Sequence, residues 1–105
     1  MINRTIGIPK KQIADFCQRW HICELAVFGS VLRDDFDSDS DVDILISFEA
    51  EADWGLIDHL RMEQELANLL GRKIELLSKR AVERSHNLVR RREILNTAEV
   101  IYVSR

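Results

Sequence analysis

Asp41 and Asp43 stand two residues apart in "SDSDVDILISF", where an acidic stretch gives way abruptly to a hydrophobic run. Side chains at i and i+2 of a strand point the same way, so the two carboxylates share a face, their Cα atoms roughly 6.5–7 Å apart. Negative charge crowded against the start of a buried strand is costly unless a cation compensates it. Carboxylates at this spacing can bracket one or two hard cations. Magnesium suits them, because it takes only one or two carboxylates and completes its shell with substrate phosphates. Glu75, in "KIELLS", points away from the more apolar face of its own segment and becomes a third ligand if the two strands are neighbours. Three acidic groups on adjacent strands can hold a two-metal phosphoryl-transfer site.

The other half of such a site lies just upstream. "ELAVFGS" reads as a short strand that stops at Gly29 and Ser30 and leads into a turn of helix. Glycine there lets the backbone approach a phosphate, and N–H groups at a helix start attract anions. Ser30 adds a hydroxyl donor. Arg33, one turn on, is placed to pair with a phosphate or with one of the loop aspartates. A nucleotide carrying magnesium would link the phosphate-binding turn to the carboxylates. Each feature also has a plainer role: an Asp-x-Asp pair can sit on an exposed sheet end, Glu75 can be a solvated strand residue, and Arg33 can balance nearby charge. The combination at this interval is what points to catalysis.

The elements that must position these residues follow from periodicity. Pro9 suits a first helical turn, and Ile13, Phe16, Cys17 and Trp20 follow as an amphipathic stripe ending near His21. In the strand after it, Leu25 and Val27 face one way and Ala26 and Phe28 the other. "DVDILISF" alternates cleanly: Val42, Ile44, Ile46 and Phe48 line one face, Asp41, Asp43, Leu45 and Ser47 the other. A helix over 54–70 presents Leu56, Leu60, Met62, Leu66, Ala67, Leu69 and Leu70 as a broad apolar face, and Gly71 stops it. "KIELLS" is a third strand, a basic helical stretch in one or two pieces runs to Asn96, and "VIYV" makes a last strand. This order predicts an α/β (α+β) fold with a small mixed sheet flanked by helices.

Composition narrows the class. The length of 105 residues suits a single domain over 1–105, with a core that needs no staples. A net charge of −3 argues against a surface built wholly to attract nucleic acid. Charge is nonetheless uneven. Between positions 34 and 53 every charged residue is acidic, whereas from position 72 onward basic residues dominate. The basic stretch reads as a docking face for an acidic partner, as a contact with nucleic acid, or as a solvated helix face. Cys17 and Cys23 give no disulfide framework and are expected as buried free thiols of a reduced, cytoplasmic protein. The N-terminus lacks the apolar core of a signal peptide, and no window approaches the roughly 20 apolar residues of a membrane span. Trp20 and Trp54 are expected as core or rim aromatics, with base stacking a second role for Trp54 beside the acidic stretch.

"GSVLR" followed by "SDSDVDILISF" resembles the Gly-Ser and Asp-x-Asp signature of the DNA polymerase β-like nucleotidyltransferases. The best fit is to the minimal nucleotidyltransferases, the MntA-type antitoxins of HEPN-domain ribonuclease toxins, and it extends over most of the chain as far as "GRKIELLS". The resemblance implies that Gly29 and Ser30 grip the nucleotide phosphates and that Asp41 and Asp43 bind two Mg²⁺ ions. It gives the third carboxylate, Glu75, a share in deprotonating the attacking hydroxyl. The family usually has Asp there; Glu75 is one methylene longer. The implied reaction is transfer of AMP from ATP to a hydroxyl, with release of pyrophosphate. A chain this short has no room for an acceptor-binding domain, so the acceptor, a tyrosine of the HEPN toxin in the MntA-type systems, is brought by the partner in a hetero-oligomer. The rival expectation is an antitoxin that has lost turnover and neutralises by binding alone; a third is a transferase acting on a small molecule or an RNA end.

Overall fold

Alternating apolar residues in the strands give the sheet two buried faces, and helices from different parts of the chain cover each. The computed structural model describes residues 9–29, 41–50 and 54–104. In chain order the elements are α1 (Lys10–Arg19), β1 (Ile22–Phe28), β2 (Val42–Phe48), α2 (Leu56–Leu70), β3 (Ile74–Ser78), α3 (Lys79–Glu83), α4 (Leu88–Thr97) and β4 (Glu99–Val103). The four strands form one sheet in the order β3-β2-β1-β4. The central β1 runs antiparallel to β2 and β4, while β2 runs parallel to β3, so the sheet is mixed.

On one face, Leu25, Val27, Val42, Ile44, Ile46, Ile74 and Leu76 pack with Ile13, Phe16 and Cys17 of α1 and with Met62 and Leu66 of α2. On the other, Ala26, Phe28 and Leu45 pack with Val82 of α3 and Ile94 of α4. The alternation read from "DVDILISF" and "KIELLS" therefore holds: their apolar series lies under α1 and α2, and Asp43 and Glu75 belong to the opposite face. The basic stretch is two helices. Ser78 Oγ accepts from the Ala81 N–H to start α3, and Asn87 Oδ1 accepts from the Arg90 N–H at 3.1 Å to start α4.

Two elements differ from expectation. β1 begins at Ile22, ahead of the Glu24 at which the sequence pattern starts, because the chain turns at His21 in a left-handed conformation (φ +55) and enters the sheet at once. The apolar face of α2 is narrower than predicted. Met62 and Leu66 are fully buried, whereas Leu56, Ile57 and Leu60 are 75, 68 and 55 % exposed. The reason lies at the sheet edge. His59 Nε2 meets the Leu76 carbonyl at 2.9 Å, and the Leu76 N–H donates to Glu63 Oε2 at 3.3 Å. These polar residues hold α2 against β3, and Leu56 and Leu60, further round the helix, are turned to solvent. Among the described residues no helix is long and apolar enough to cross a membrane.

The entrance to α2 is held by aromatics. Trp20 and Trp54 meet edge to face with ring centroids 5.1 Å apart, and Trp54 Nε1 donates to the Trp20 carbonyl at 2.8 Å. Trp20 Nε1 in turn donates to Glu65 at 3.3 Å.

Candidate active site

The register of β1 and β2 sets the first contact. Phe28 lies opposite Asp43, so Gly29, one residue further on, arrives beside the Asp43 side chain. Gly29 has φ +73, the left-handed region that residues with a Cβ rarely adopt. A Cβ built there would strike the Asp43 carboxylate, with Asp43 Cγ only 3.2 Å away. Glycine is thus favoured by the backbone turn, and a larger residue would push the Asp43 carboxylate aside.

The register of β2 and β3 sets the second. Asp43 and Glu75 are partners in the parallel pair, about one strand spacing apart, on the face that α3 and α4 cover. Asp41, immediately before β2, is two residues from Asp43 and exposed. The condition on which Glu75 could join Asp43, that β2 and β3 are neighbours, is met. Ser30 and Arg33 lie outside the described residues, as does the acidic loop before Ser40.

Helix α4 supplies the opposite wall. A groove of about 340 Å³ is lined by Phe28, Gly29 and Asp43 from the sheet and by Arg90, Glu93, Ile94 and Thr97 from α4. Arg90 Nη2 stands 3.8 Å from Glu75 Oε1. The three consecutive arginines therefore have three surroundings. Arg90 borders the groove, Arg91 Nη1 donates to the Glu83 carbonyl at 3.0 Å and ties α4 to α3, and Arg92 lies with Leu88 and Val89 on another side of the helix. Sequence reasoning treated this stretch as one basic surface and missed Arg90. The available signal was its spacing: Arg90 is four residues before Ile94, the buried residue of α4, and so shares its face.

Among the described residues, no three His, Cys, Asp or Glu side chains are gathered as a ready-made metal cage. Glu75 is turned toward Arg90. The donors do fit magnesium in kind: Asp41 and Asp43 offer hard oxygens from one strand end, and this ion relies on one or two carboxylates with phosphates completing the shell. Trp54 does not belong to the site. It packs with the core under α1 and α2, on the opposite sheet face from Asp43, and its N–H is engaged by Trp20, which corrects the base-stacking expectation. Cys17 is a buried thiol pushed up to about 12 by that burial, while Cys23 is only half-buried, its Sγ 3.4 Å from the Ser47 carbonyl.

The model of the nucleotidyltransferase domain family matches residues 9–101. The protein adenylyltransferase MntA of Thermococcus cleftensis is 33% identical over 82 residues, which cover 78% of either chain. A solved structure described as that of a minimal nucleotidyltransferase matches with a TM-score of 0.64 at 31% identity over 85% of both chains. The complex of tri-AMPylated Shewanella oneidensis HEPN toxin with MNT antitoxin contains a similar fold. Its TM-score is 0.61 at 18% identity, with 90% of this chain and 70% of that one covered.

Proposed function

The chain belongs to the nucleotidyltransferase family, and from that premise we propose that it is a single-domain, Mg²⁺-dependent protein adenylyltransferase. It would move AMP from ATP to a tyrosine hydroxyl of a HEPN ribonuclease toxin and act as that toxin's antitoxin. The observation that carries this reading is the packing of Gly29 against Asp43 with Glu75 in register beside it. A close-approach backbone turn and a metal-type carboxylate line the groove, with a third acidic group in register beside that carboxylate. The relatives support the choice of acceptor: one is named a protein adenylyltransferase, and another is an antitoxin bound to an AMPylated HEPN toxin.

Each residue then has a role. The Gly29 backbone, Ser30 and Arg33 hold the nucleotide phosphates. Asp41 and Asp43, with Glu75, would hold magnesium, which when bound would neutralise the triphosphate and make the α-phosphorus more electrophilic. The acceptor oxygen attacks the α-phosphorus, the bond from that phosphorus to the β-bridging oxygen breaks, and pyrophosphate leaves. Glu75 receives the acceptor's proton. The geometry of such a site works mainly by positioning and charge stabilisation, since the protein itself makes no covalent bond.

One observation favours a second reading. Glu75 is paired with Arg90 and the described residues gather no three-carboxylate cage, which suits an antitoxin that neutralises by binding alone. Intact mass separates the two. The purified chain, ATP, Mg²⁺ and the HEPN partner should yield AMP-sized additions on the partner, absent with Asp41→Asn/Asp43→Asn. A complex that forms and blocks the ribonuclease with no addition would leave the binding-only antitoxin.

A further inference from the structure

We propose that Arg90 is a triphosphate-binding residue of this site, held in reserve by Glu75 until the nucleotide arrives. The proposal rests on the reading of the groove as a nucleotide site and adds a residue that the Gly-Ser and Asp-x-Asp motifs do not include. Three observations carry it. Arg90 is the only cationic side chain among the described residues that line the groove, where Asp43 and Glu93 are both acidic. A polyanion entering that groove needs positive charge beyond what a metal brings. Next, α4 is fixed at the correct place: Asn87 caps it through the Arg90 N–H, Arg91 anchors it to α3, and Ile94 is buried beneath it. The stem of Arg90 therefore starts from a rigid base while its side chain remains 58% exposed.

The third observation is the weakness of the present pairing. Arg90 and Glu75 meet at 3.8 Å, and both side chains are more than half exposed. Ion pairs of that kind contribute little, because water solvates both partners well. A guanidinium matches phosphate oxygens in a planar fork, and such charge-assisted contacts are considerably stronger. Exchange of Glu75 for a triphosphate is thus downhill for Arg90. It also releases the Glu75 carboxylate toward Asp43, its register partner, at the moment a nucleotide is present. Arg90 then acts twice: it binds phosphate, and by leaving it frees the third carboxylate.

Calorimetric titration of the full chain tests this with ATP, adenosine and inorganic tripolyphosphate, each with Mg²⁺ and with EDTA. Arg90→Gln should weaken ATP and tripolyphosphate binding by roughly 10-fold or more, and leave adenosine within about 2-fold. Arg92→Gln removes the same charge from another side of α4 and should leave all three unchanged. Glu75→Gln, measured in EDTA so that no metal site is involved, should bind tripolyphosphate as tightly as the wild type or tighter, because Arg90 is no longer held. If wild type binds ATP but Arg90→Gln binds it equally well, or if Arg92→Gln is weakened to the same degree, the assignment of Arg90 fails and the nucleotide site stands. If wild type binds neither ATP nor tripolyphosphate, both fail together. Circular dichroism of each variant confirms that the comparison is between folded chains.

Discussion

Gly29 and Asp43 are fitted to each other: the space that a Cβ at the end of β1 would fill is taken by the carboxylate of β2. That contact separates two effects which substitution of a glycine usually mixes. Gly29→Ala should lose about 1–2 kcal/mol of stability from the left-handed backbone alone, and should also displace Asp43. Gly71, the C-terminal cap of α2, has a similar φ of +63 but open space where its Cβ would lie. Gly71→Ala should therefore cost comparable stability in urea denaturation while retaining AMP transfer. Gly29→Ala should lose transfer out of proportion to its stability.

Removing charge at the strand end should abolish chemistry without abolishing the fold. Asp43→Asn keeps the size of the side chain next to Gly29 but removes a hard anionic donor. Transfer to the HEPN partner should fall by more than the roughly 10- to 100-fold typical of losing an outer-shell metal partner. Retention of near-wild-type activity by Asp43→Asn would refute its role as a ligand. Complex formation, followed by size-exclusion chromatography, should persist.

Acid should loosen the seam between α1 and α2. Arg19 and Trp20 both donate to Glu65, and the Arg19 contact chiefly holds the Glu65 carboxyl below its ordinary range, against a smaller opposing effect of burial. A depressed folded-state pKa gives stability that is present above the unfolded value and is lost as pH falls through the folded one. The window is therefore below about pH 4.5. Screening at this largely exposed pair limits the effect to about 1 kcal/mol or less. Wild type should lose more stability than Glu65→Gln between pH 6 and pH 3, as read from denaturation midpoints.

The two thiols should react in sequence. Cys17 is fully buried against the sheet, and its raised pKa keeps it protonated at neutral pH. Cys23 is only half-buried. One equivalent of an aromatic disulfide reagent should be consumed per native chain, with Cys23 the labelled residue by peptide mass. The second equivalent should react only after denaturant is added.

Much of this site was legible because strand alternation is a strict rule. The period of two in "DVDILISF" and "KIELLS" fixed the common face of Asp43 and Glu75, and the glycine at the end of "AVFG" announced a backbone turn. What stayed hidden depends on tertiary placement. Arg90, Arg91 and Arg92 look alike in a row, and only the packing of α4 against the sheet and α3 distinguishes them. Leu56 and Leu60 fit the apolar pattern of α2, yet His59 and Glu63 decide how that helix is rolled. Trp54 adjoins the acidic stretch in sequence, but its ring goes to Trp20 across the other side of the sheet.

The contacts of His59 and Glu63 with the Leu76 backbone have an effect beyond the orientation of α2. An unprotected edge strand offers its free N–H and C=O groups as a template on which another chain can pair. At Leu76, in the middle of β3, both groups are already taken. A strand from a second molecule would meet an interrupted ladder there, so self-association by sheet extension is discouraged on that side.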